Sequence, residues 1–173
     1  MNTVHCTHDR HAAAIIDIFN EAIVASTALF DYKPRPVESM VPWFKSKDVG
    51  GFPVVGIEAE NGQLLGFATY GTFRAWPAYK YSVEHSVYVR KDHQGKGLGL
   101  KLMQELFLEA KAQEYHMMVG GIEVSNVGSI ALHTRLGFTH AGTIRQAGFK
   151  FGRWLDLAFY QVVFPTPLAP SEA

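Results

Sequence analysis

The segment from residue 82 to residue 113 constrains the fold most, because the spacing of its apolar residues changes from two to four along its length. Residues 82–90 (SVEHSVYVR) alternate in character and therefore predict a β-strand with two different faces. Residues 98–113 repeat an apolar residue at every fourth position from Leu98 to Ala110, which predicts a helix with one buried side. A strand followed by a helix indicates an α/β fold. On the predicted strand, one face carries Val83, His85, Val87 and Val89, and the other carries Glu84, Ser86 and Tyr88.

The remaining segments follow the same two patterns. Apolar residues three and four apart predict a helix over residues 9–26, and a second, shorter helix is expected over 37–46 after Pro36. Residues 53–58 and 63–70 are rich in β-formers and flank Glu-Asn-Gly, which predicts an antiparallel hairpin. We further expect strands at 117–124, 138–144 and 154–164 and a helix at 127–136 that Gly137 ends.

Length and composition limit the organisation of the chain and its partners. The 173 residues fit one domain at about 150 residues per domain, expected over 1–164, with a flexible proline-rich tail at 165–173. Equal numbers of basic and acidic residues, 16 each, give no bulk charge for binding nucleic acid or an anionic membrane. No apolar run approaches the ~20 residues of a membrane helix. One cysteine, Cys6, excludes an intramolecular disulfide and fits a reducing compartment, so a cytoplasmic protein is expected.

A glycine-rich loop, residues 94–100 (QGKGLGL), stands between the predicted strand and the helix. Glycines allow a tight turn, and the unpaired N–H groups at the start of a helix suit a phosphate. A P-loop would need Ser or Thr after Lys96, where Gly97 stands, and the spacing of Gly95, Gly97 and Gly99 does not give a dinucleotide fingerprint. An ordinary strand-to-helix turn remains an alternative.

The pattern (Arg or Gln)-x-x-Gly-x-(Gly or Ala), filled by Gln94, Gly97 and Gly99, resembles the acyl-CoA pyrophosphate loop of the GNAT superfamily of N-acetyltransferases. Residues 126–138 resemble that superfamily's second motif, in which an Asn opens a helix beside the CoA arm and Gly-Phe ends it. The resemblance implies an α/β GNAT fold: a mixed, mostly antiparallel central sheet that splays at the acetyl-CoA site, with helices on both faces. It also implies acetyl-CoA as co-substrate, contacted by Val87, Tyr88, Val89, Gln94, Gly95, Lys96, Gly97, Leu98, Gly99, Leu100, Asn126 and Ser129.

Three further segments are similar to the phosphinothricin and methionine sulfoximine acetyltransferase subgroup: residues 83–89, residues 132–138 and residues 150–156 (KFGRWLD). Residues 20–22 and Trp43 fit it too. The resemblance implies N-acetylation of the α-amine of a small amino-acid analogue such as phosphinothricin, methionine sulfoximine or methionine sulfone, by a homodimer. The alternatives are acetylation of a protein N-terminus or a polyamine, or a non-catalytic acyl-CoA-binding sensor.

Two residues are candidates for proton transfer. Glu84 lies just before the 87–89 segment and is expected to take a proton from the substrate ammonium, with holding that ammonium or plain exposure as alternatives. His133 stands four residues before Gly137, where many superfamily members have a tyrosine thought to protonate the CoA thiolate. An imidazolium or an imidazole N–H is a sufficient acid for a thiol of pKa near 8.5, and a helix-packing histidine is the alternative.

For substrate binding, Phe73 and Arg74 match positions that contact substrate in this subgroup, and a guanidinium suits a carboxylate or phosphinate. Trp76 stands where relatives often carry a second arginine, which puts the anionic substrate in doubt. Phe30 and Tyr32 are further candidates for the wall of the site.

Two clusters of residues have the composition of a binding site, but neither predicts a further ligand. The run at residues 5–11 (HCTHDRH) has metal-ligand residue types but cannot close a tetrahedral site without remote ligands, so no metal is predicted. Lys150, Arg153 and Trp154 form a basic-aromatic patch that fits a terminal hairpin better than a nucleic-acid site.

Overall fold

Seven strands and four α-helices lie within residues 1–172, the part of the chain that the computed structural model describes. The strands are β1 (Asn2–His5), β2 (Val54–Glu58), β3 (Leu64–Thr72), β4 (Ser82–Val89), β5 (Met117–Glu123), β6 (Thr139–Lys150) and β7 (Arg153–Val163). The α-helices are α1 (His8–Ala25), α2 (Met40–Gly50), α3 (Leu98–Ala112) and α4 (Val127–Arg135). Short 3-10 turns lie at Val37–Ser39, Pro77–Tyr79 and Lys91–His93. The predicted α/β class is confirmed.

The strands form a sheet in the order β1-β2-β3-β4-β5-β7-β6, in which neighbours are antiparallel except β4 and β5. The parallel pairing joins residues 82–84 of β4 to residues 117–119 of β5. Beyond it, β4 continues to Val89 against β3, and β5 continues to Glu123 against β7. The two strands therefore diverge, which confirms the predicted mixed sheet with a splay.

Helices cover both faces of this sheet because each strand alternates between two sets of apolar side chains. On one face, Leu102 of α3 packs in the same core cluster as Val83 of β4. On the other face, below α1 and α2, the Phe19 ring lies 5.1 Å from the Phe67 ring and 5.2 Å from the Tyr88 ring. Val83 and Tyr88 thus point to opposite faces, as the alternation of residues 82–90 predicts.

Two strands differ from the sequence prediction. No strand is predicted at β1, whose short, polar sequence shows no alternation; it forms by pairing with β2, from Asn2 opposite Glu58 to His5 opposite Val55. The strand predicted over 138–144 extends to Lys150 as β6. Its register shifts between Ile144 and Gly148, and this irregularity interrupts the pattern that would have revealed the continuation.

The second helix begins later than predicted. The Val37–Ser39 segment forms a 3-10 turn, and α2 starts at Met40. Gly51 ends α2 in the left-handed conformation, with φ of 64° and its N–H bonded to the Asp48 carbonyl at 3.2 Å.

The residues after β7 stay close to the start of β5. Phe164 is buried, and its N–H bonds the His116 carbonyl at 2.7 Å. The Nδ1 atom of His116 lies 2.8 Å from the Thr166 carbonyl oxygen. The single domain expected over 1–164 and the flexibility expected over 165–173 stay predictions. Among residues 1–172, no helix combines the length and apolar character needed to cross a membrane.

Candidate active site

A groove with a volume of about 870 Å³ runs from the opening beside β4 to the starts of α3 and α4, with α1 along its other side. It brings together every residue predicted to contact acetyl-CoA except Lys96. Those residues are Val87, Tyr88, Val89, Gln94, Gly95, Gly97, Leu98, Gly99, Leu100, Asn126 and Ser129.

The glycine-rich loop turns into α3 through two left-handed residues. Gly95 has φ of 73°, and Gly97, the N-cap of α3, has φ of 80°. A Cβ added at either glycine would have nothing within 4 Å, so the loop leaves open space beside its backbone. The free N–H groups and positive dipole end of α3 face this groove, since Leu98 and Gly99 line it. These residues therefore fit a pyrophosphate.

Side chains of the loop hold its shape. Gln94 donates from Nε2 to the Val89 carbonyl at 3.1 Å. Lys96 donates from Nζ to the Asp92 carbonyl at 2.9 Å, which accounts for its absence from the groove lining. Glu21 of α1 accepts the backbone N–H of Lys91 at 2.9 Å and so ties α1 to the start of the loop. That contact, between residues 70 apart, was not expected from the sequence.

Asn126 opens α4 on the far side of the groove. Its Oδ1 accepts the backbone N–H of Ser129 at 3.1 Å, which is an N-cap interaction. Asn126 and Ser129 line the groove together with Val87 of β4. The contact of Asn126 with the CoA arm stays a prediction.

A second cavity of about 280 Å³ lies on the other side of the strand opening. The residues that it shares with the groove are Thr27, Ala28, Val87, Tyr88, Asn126 and Ser129. Glu84 lines this cavity alone, as do Leu29 and Phe30 of the loop of residues 27–30 that follows α1. Ligands in the groove and in the cavity would therefore meet at the shared residues.

Glu84 is half-buried in the wall of this second cavity. Burial raises the pKa of its carboxyl, and the Arg74 guanidinium acts in the opposite direction. A carboxylate with a raised pKa is a better proton acceptor near neutral pH. Glu84 has the chemistry of a general base.

Phe73 and Arg74 lie on the loop between β3 and β4 and line neither cavity. The guanidinium of Arg74 stacks 4.3 Å from the centre of the Phe73 ring, and its Nη1 donates to the Phe73 carbonyl at 2.8 Å. Gly71 of β3 pairs with Glu84 of β4, so Arg74 follows three residues after the position opposite Glu84. Trp76 on the same loop is 73% exposed.

His133 is buried and stacks on His85, with ring centres 4.9 Å apart. Its Nδ1 lies 2.6 Å from the Ser129 carbonyl, which can only accept, so Nδ1 carries a proton. Its Nε2 lies 3.2 Å from Nε2 of His85. Burial lowers the pKa of both imidazoles, for His85 to about 3, where the neighbouring His133 contributes further.

Both rings are therefore neutral at pH 7, and His85 must donate its Nε2 proton to His133. Nδ1 of His85 is then left buried with no partner among the described residues. A Cβ at Gly120 would collide with the His85 ring, so the glycine makes room for the pair. The alternation of residues 82–90 puts His85 on the buried face but does not predict its contact with His133.

The basic-aromatic patch needs correction at one position. Lys150 is buried at 4% exposure, whereas Arg153 and Trp154 are exposed. Phe30 lines the second cavity, and Tyr32 is exposed. Nothing in the sequence indicated that Lys150 is buried, because its neighbours are charged and aromatic residues.

The metal-like residues near the start have structural partners. Nε2 of His11 lies 3.0 Å from Oε1 of Glu58, and Nδ1 of His11 accepts the Thr7 N–H at 2.9 Å. Burial, with a contribution from the Glu58 charge, raises the pKa of the Cys6 thiol to about 12. Within residues 1–172, no three His, Cys, Asp or Glu side chains are grouped to hold a metal ion.

The chain is similar to proteins of one family along almost its whole length. The sequence profile of the acetyltransferase (GNAT) family matches residues 14–138. The L-methionine sulfoximine/L-methionine sulfone acetyltransferase of Salmonella typhimurium is 40% identical over 169 residues, which is 98% of each chain. The phosphinothricin N-acetyltransferase of Streptomyces coelicolor is 39% identical, over 85% of this chain and 87% of that protein.

A solved structure agrees with these relatives. It is a GNAT superfamily phosphinothricin acetyltransferase from Sinorhizobium meliloti in complex with AcCoA. It is 30% identical to this chain, with a TM-score of 0.92 over 98% of this chain and 91% of that one.

Proposed function

The chain belongs to the GNAT acetyltransferase family, and on that premise we propose that it transfers the acetyl group of acetyl-CoA to the α-amine of a small amino-acid analogue. Methionine sulfoximine, methionine sulfone and phosphinothricin are the leading acceptors, because they are the substrates after which its relatives are named. The observation that carries the proposal is the strand opening, which joins a groove fit for a pyrophosphate to a small cavity containing Glu84.

Glu84 is the proposed general base. An amino acid arrives mostly as an ammonium at pH 7 and must lose a proton before its nitrogen can attack the thioester. The carboxylate takes that proton, directly or through a water molecule, and its raised pKa suits the task. The nitrogen then attacks the thioester carbon, and backbone N–H groups at the separated edge of β4 stabilise the charge on the carbonyl oxygen.

His133 is the proposed acid for the departing thiolate. His133 lines the second cavity. Its Nδ1 donates to the carbonyl of Ser129, a residue that lines both the cavity and the groove. At rest His133 is neutral and its Nε2 accepts from His85, so it must first give up that hydrogen bond and take up at Nε2 the second proton that the amine nitrogen loses on acylation. The imidazolium then passes a proton to the thiolate, which leaves as the thiol, and His133 returns to its neutral form. Helix packing remains the alternative role.

The acceptor's anionic group is proposed to meet Arg74 and Phe73. The influence of Arg74 on the Glu84 carboxyl supports a guanidinium near the base, where an α-carboxylate would lie once the amine faces Glu84. The second arginine of many relatives is replaced by the exposed Trp76. We therefore expect weaker selection for a doubly charged acceptor.

We also propose a cytoplasmic homodimer. Phe149, Phe151 and Trp154 expose apolar rings around the β6–β7 turn, a surface that a second copy would bury. The single, buried thiol of Cys6 suits a reducing compartment.

The test is thiol release from acetyl-CoA by the purified protein. The acceptors are methionine sulfoximine, methionine sulfone, phosphinothricin, ordinary amino acids, a polyamine and a short peptide. The proposal expects selective turnover of the small analogues, since the cavity volume of about 280 Å³ suits a small acceptor. Preference for the peptide or polyamine would move the assignment to those substrates, and acetyl-CoA binding without turnover would indicate a sensor.

A further inference from the structure

Lys150 makes an unusual set of contacts for a lysine. It ends β6 and is 4% exposed. Its Nζ donates to three carbonyl oxygens, those of Ile23 at 2.7 Å, Ser26 at 2.9 Å and Leu29 at 2.6 Å. An ammonium has three protons to donate, so these three acceptors use all of them.

The three carbonyls belong to the end of α1 and the loop that follows it. The last turn of a helix leaves carbonyls unpaired and favours a nearby cation, yet α1 has no basic residue in its own last turn. Lys150 supplies that cation from more than 120 residues away in the sequence. It therefore fixes both the end of α1 and the path of the chain beyond it.

That path forms one wall of the cavity that contains Glu84, lined by residues 27–30. Two other contacts hold the same wall against the C-terminal half of the sheet. Thr27 donates from Oγ1 to Oε2 of the buried Glu123 at 2.8 Å, and the Phe30 ring comes within 2.6 Å of where a Cβ on Gly148 would lie. Residues 27–30 carry no helix or strand of their own, so their position depends on these contacts.

We propose that Lys150 is a positioning residue that sets the width of the acceptor cavity by holding the 27–30 loop through its three carbonyl contacts. The proposal rests on the proposed function in taking this cavity as the acceptor site. It assigns Lys150 no proton transfer and no contact with acetyl-CoA, because Lys150 lines neither cavity.

The experiment compares Lys150→Met with the unchanged protein and with Lys45→Met, a matched change at an exposed lysine of α2. We expect the acceptor KM of Lys150→Met to rise about 10-fold, since a displaced wall misplaces the amine, with kcat changing less. The affinity for acetyl-CoA, measured by calorimetry, should fall less than the acceptor affinity, because Thr27 and Ala28 also line the groove while its α3 end does not depend on this loop. Amide hydrogen exchange should speed up at residues 26–30 in Lys150→Met but not in Lys45→Met.

Lys150→Arg provides a second variant that keeps the charge and the fold. A planar guanidinium cannot direct three protons at three converging carbonyls, so we expect the acceptor KM to rise about 3-fold. Acceptor KM and loop exchange unchanged in either variant would overturn the proposal, as would equal losses of acceptor and acetyl-CoA affinity. If the unchanged protein turned over no acceptor, the proposed function would fail, while the exchange measurement would still test the hold of Lys150 on the loop.

Discussion

The groove at the start of α3 and the cavity around Glu84 are built in opposite ways. The groove depends on the contiguous loop of residues 94–100, whose backbone conformation and N–H groups provide the binding surface. The cavity depends on side chains brought from distant parts of the chain, with Thr27 held by Glu123 and the loop after α1 held by Lys150. A local sequence determines the pyrophosphate end of the groove, and tertiary contacts determine the cavity.

This difference separates cofactor binding from acceptor choice. A change at Leu29 or Phe30 alters the acceptor cavity without touching the groove, whereas Thr27 and Ala28 of the same loop line both. Relatives named for methionine sulfoximine and for phosphinothricin both match this chain at about 40% identity, as expected when one cofactor groove serves different acceptors.

The sharpest test of the cavity removes its charge. Glu84→Gln should lower kcat/KM about 100-fold, because the amide cannot accept the ammonium proton. Calorimetry should find acetyl-CoA affinity unchanged, so that the loss is confined to the acceptor side. An unaltered rate and pH profile would instead give Glu84 a structural role.

The matching test of the groove changes only backbone conformation. Gly97→Val should weaken acetyl-CoA binding about 30-fold, because a β-branched residue resists φ of 80° and its side chain would crowd the pyrophosphate. Gly62, on the β2–β3 turn with φ of 81°, is the matched control. Gly62→Val should lose comparable stability but keep its acetyl-CoA affinity, and equal affinity losses in both variants would contradict the comparison.

Arg74 tests whether the cavity reads the acceptor's negative charge. Arg74→Met should raise the acceptor KM about 10-fold through loss of a charge-assisted hydrogen bond, with acetyl-CoA affinity unchanged. Steady-state kinetics with an acidic acceptor and its amide separate charge recognition from loop packing. An equal effect on both acceptors would assign Arg74 to the packing of the Phe73 ring.

His133 lies between the two regions and tests their junction. His133→Gln should lower kcat about 5-fold with little change in either KM, since a thiolate of pKa near 8.5 needs only modest help from an acid. A change in both KM values with kcat retained would mean that the histidine packs the helix and does not transfer a proton.

The His85–His133 pair should also give the free energy of unfolding a pH dependence. The folded-state pKa of His85 is lowered to about 3 from its ordinary value of 6.5, so below pH 6.5 the unfolded chain binds a proton that the folded chain refuses. Stability is therefore lost as pH falls, by about 0.7 kcal/mol between pH 7 and pH 6 for one such histidine. Urea titrations of His85→Met should show a flatter dependence, and equal slopes would contradict the assignment.

The same contrast explains what could be predicted from the sequence. Gly95, Gly97 and Asn126 act through backbone conformation and capping within a few residues, so a short motif is enough to place them in the groove. The alternation of residues 82–90 separated Glu84 from His85 because it needs only a period of two. The roles predicted for Glu84, Arg74 and His133 stay predictions.

The contacts that could not be predicted join residues far apart in the chain. Lys150 and the α1 carbonyl that it bonds are more than 120 residues apart in the sequence, and His85 and His133 are 48 residues apart. No local pattern distinguishes a lysine that will be buried from one that stays in solvent. The continuation of β6 was hidden for a local reason, because Gln146 sits at φ of 53° in the irregular stretch.

The short pairing between β4 and β5 has a mechanical consequence. Every other pair of neighbouring strands is joined over a longer register than residues 82–84 with 117–119. The sheet thus consists of two parts, β1 to β4 and β5 to β7, which are joined by few hydrogen bonds between β4 and β5. A force that pulls β4 away from β5 should break this pairing before it breaks the pairings within either part, since local opening begins where the fewest hydrogen bonds resist it.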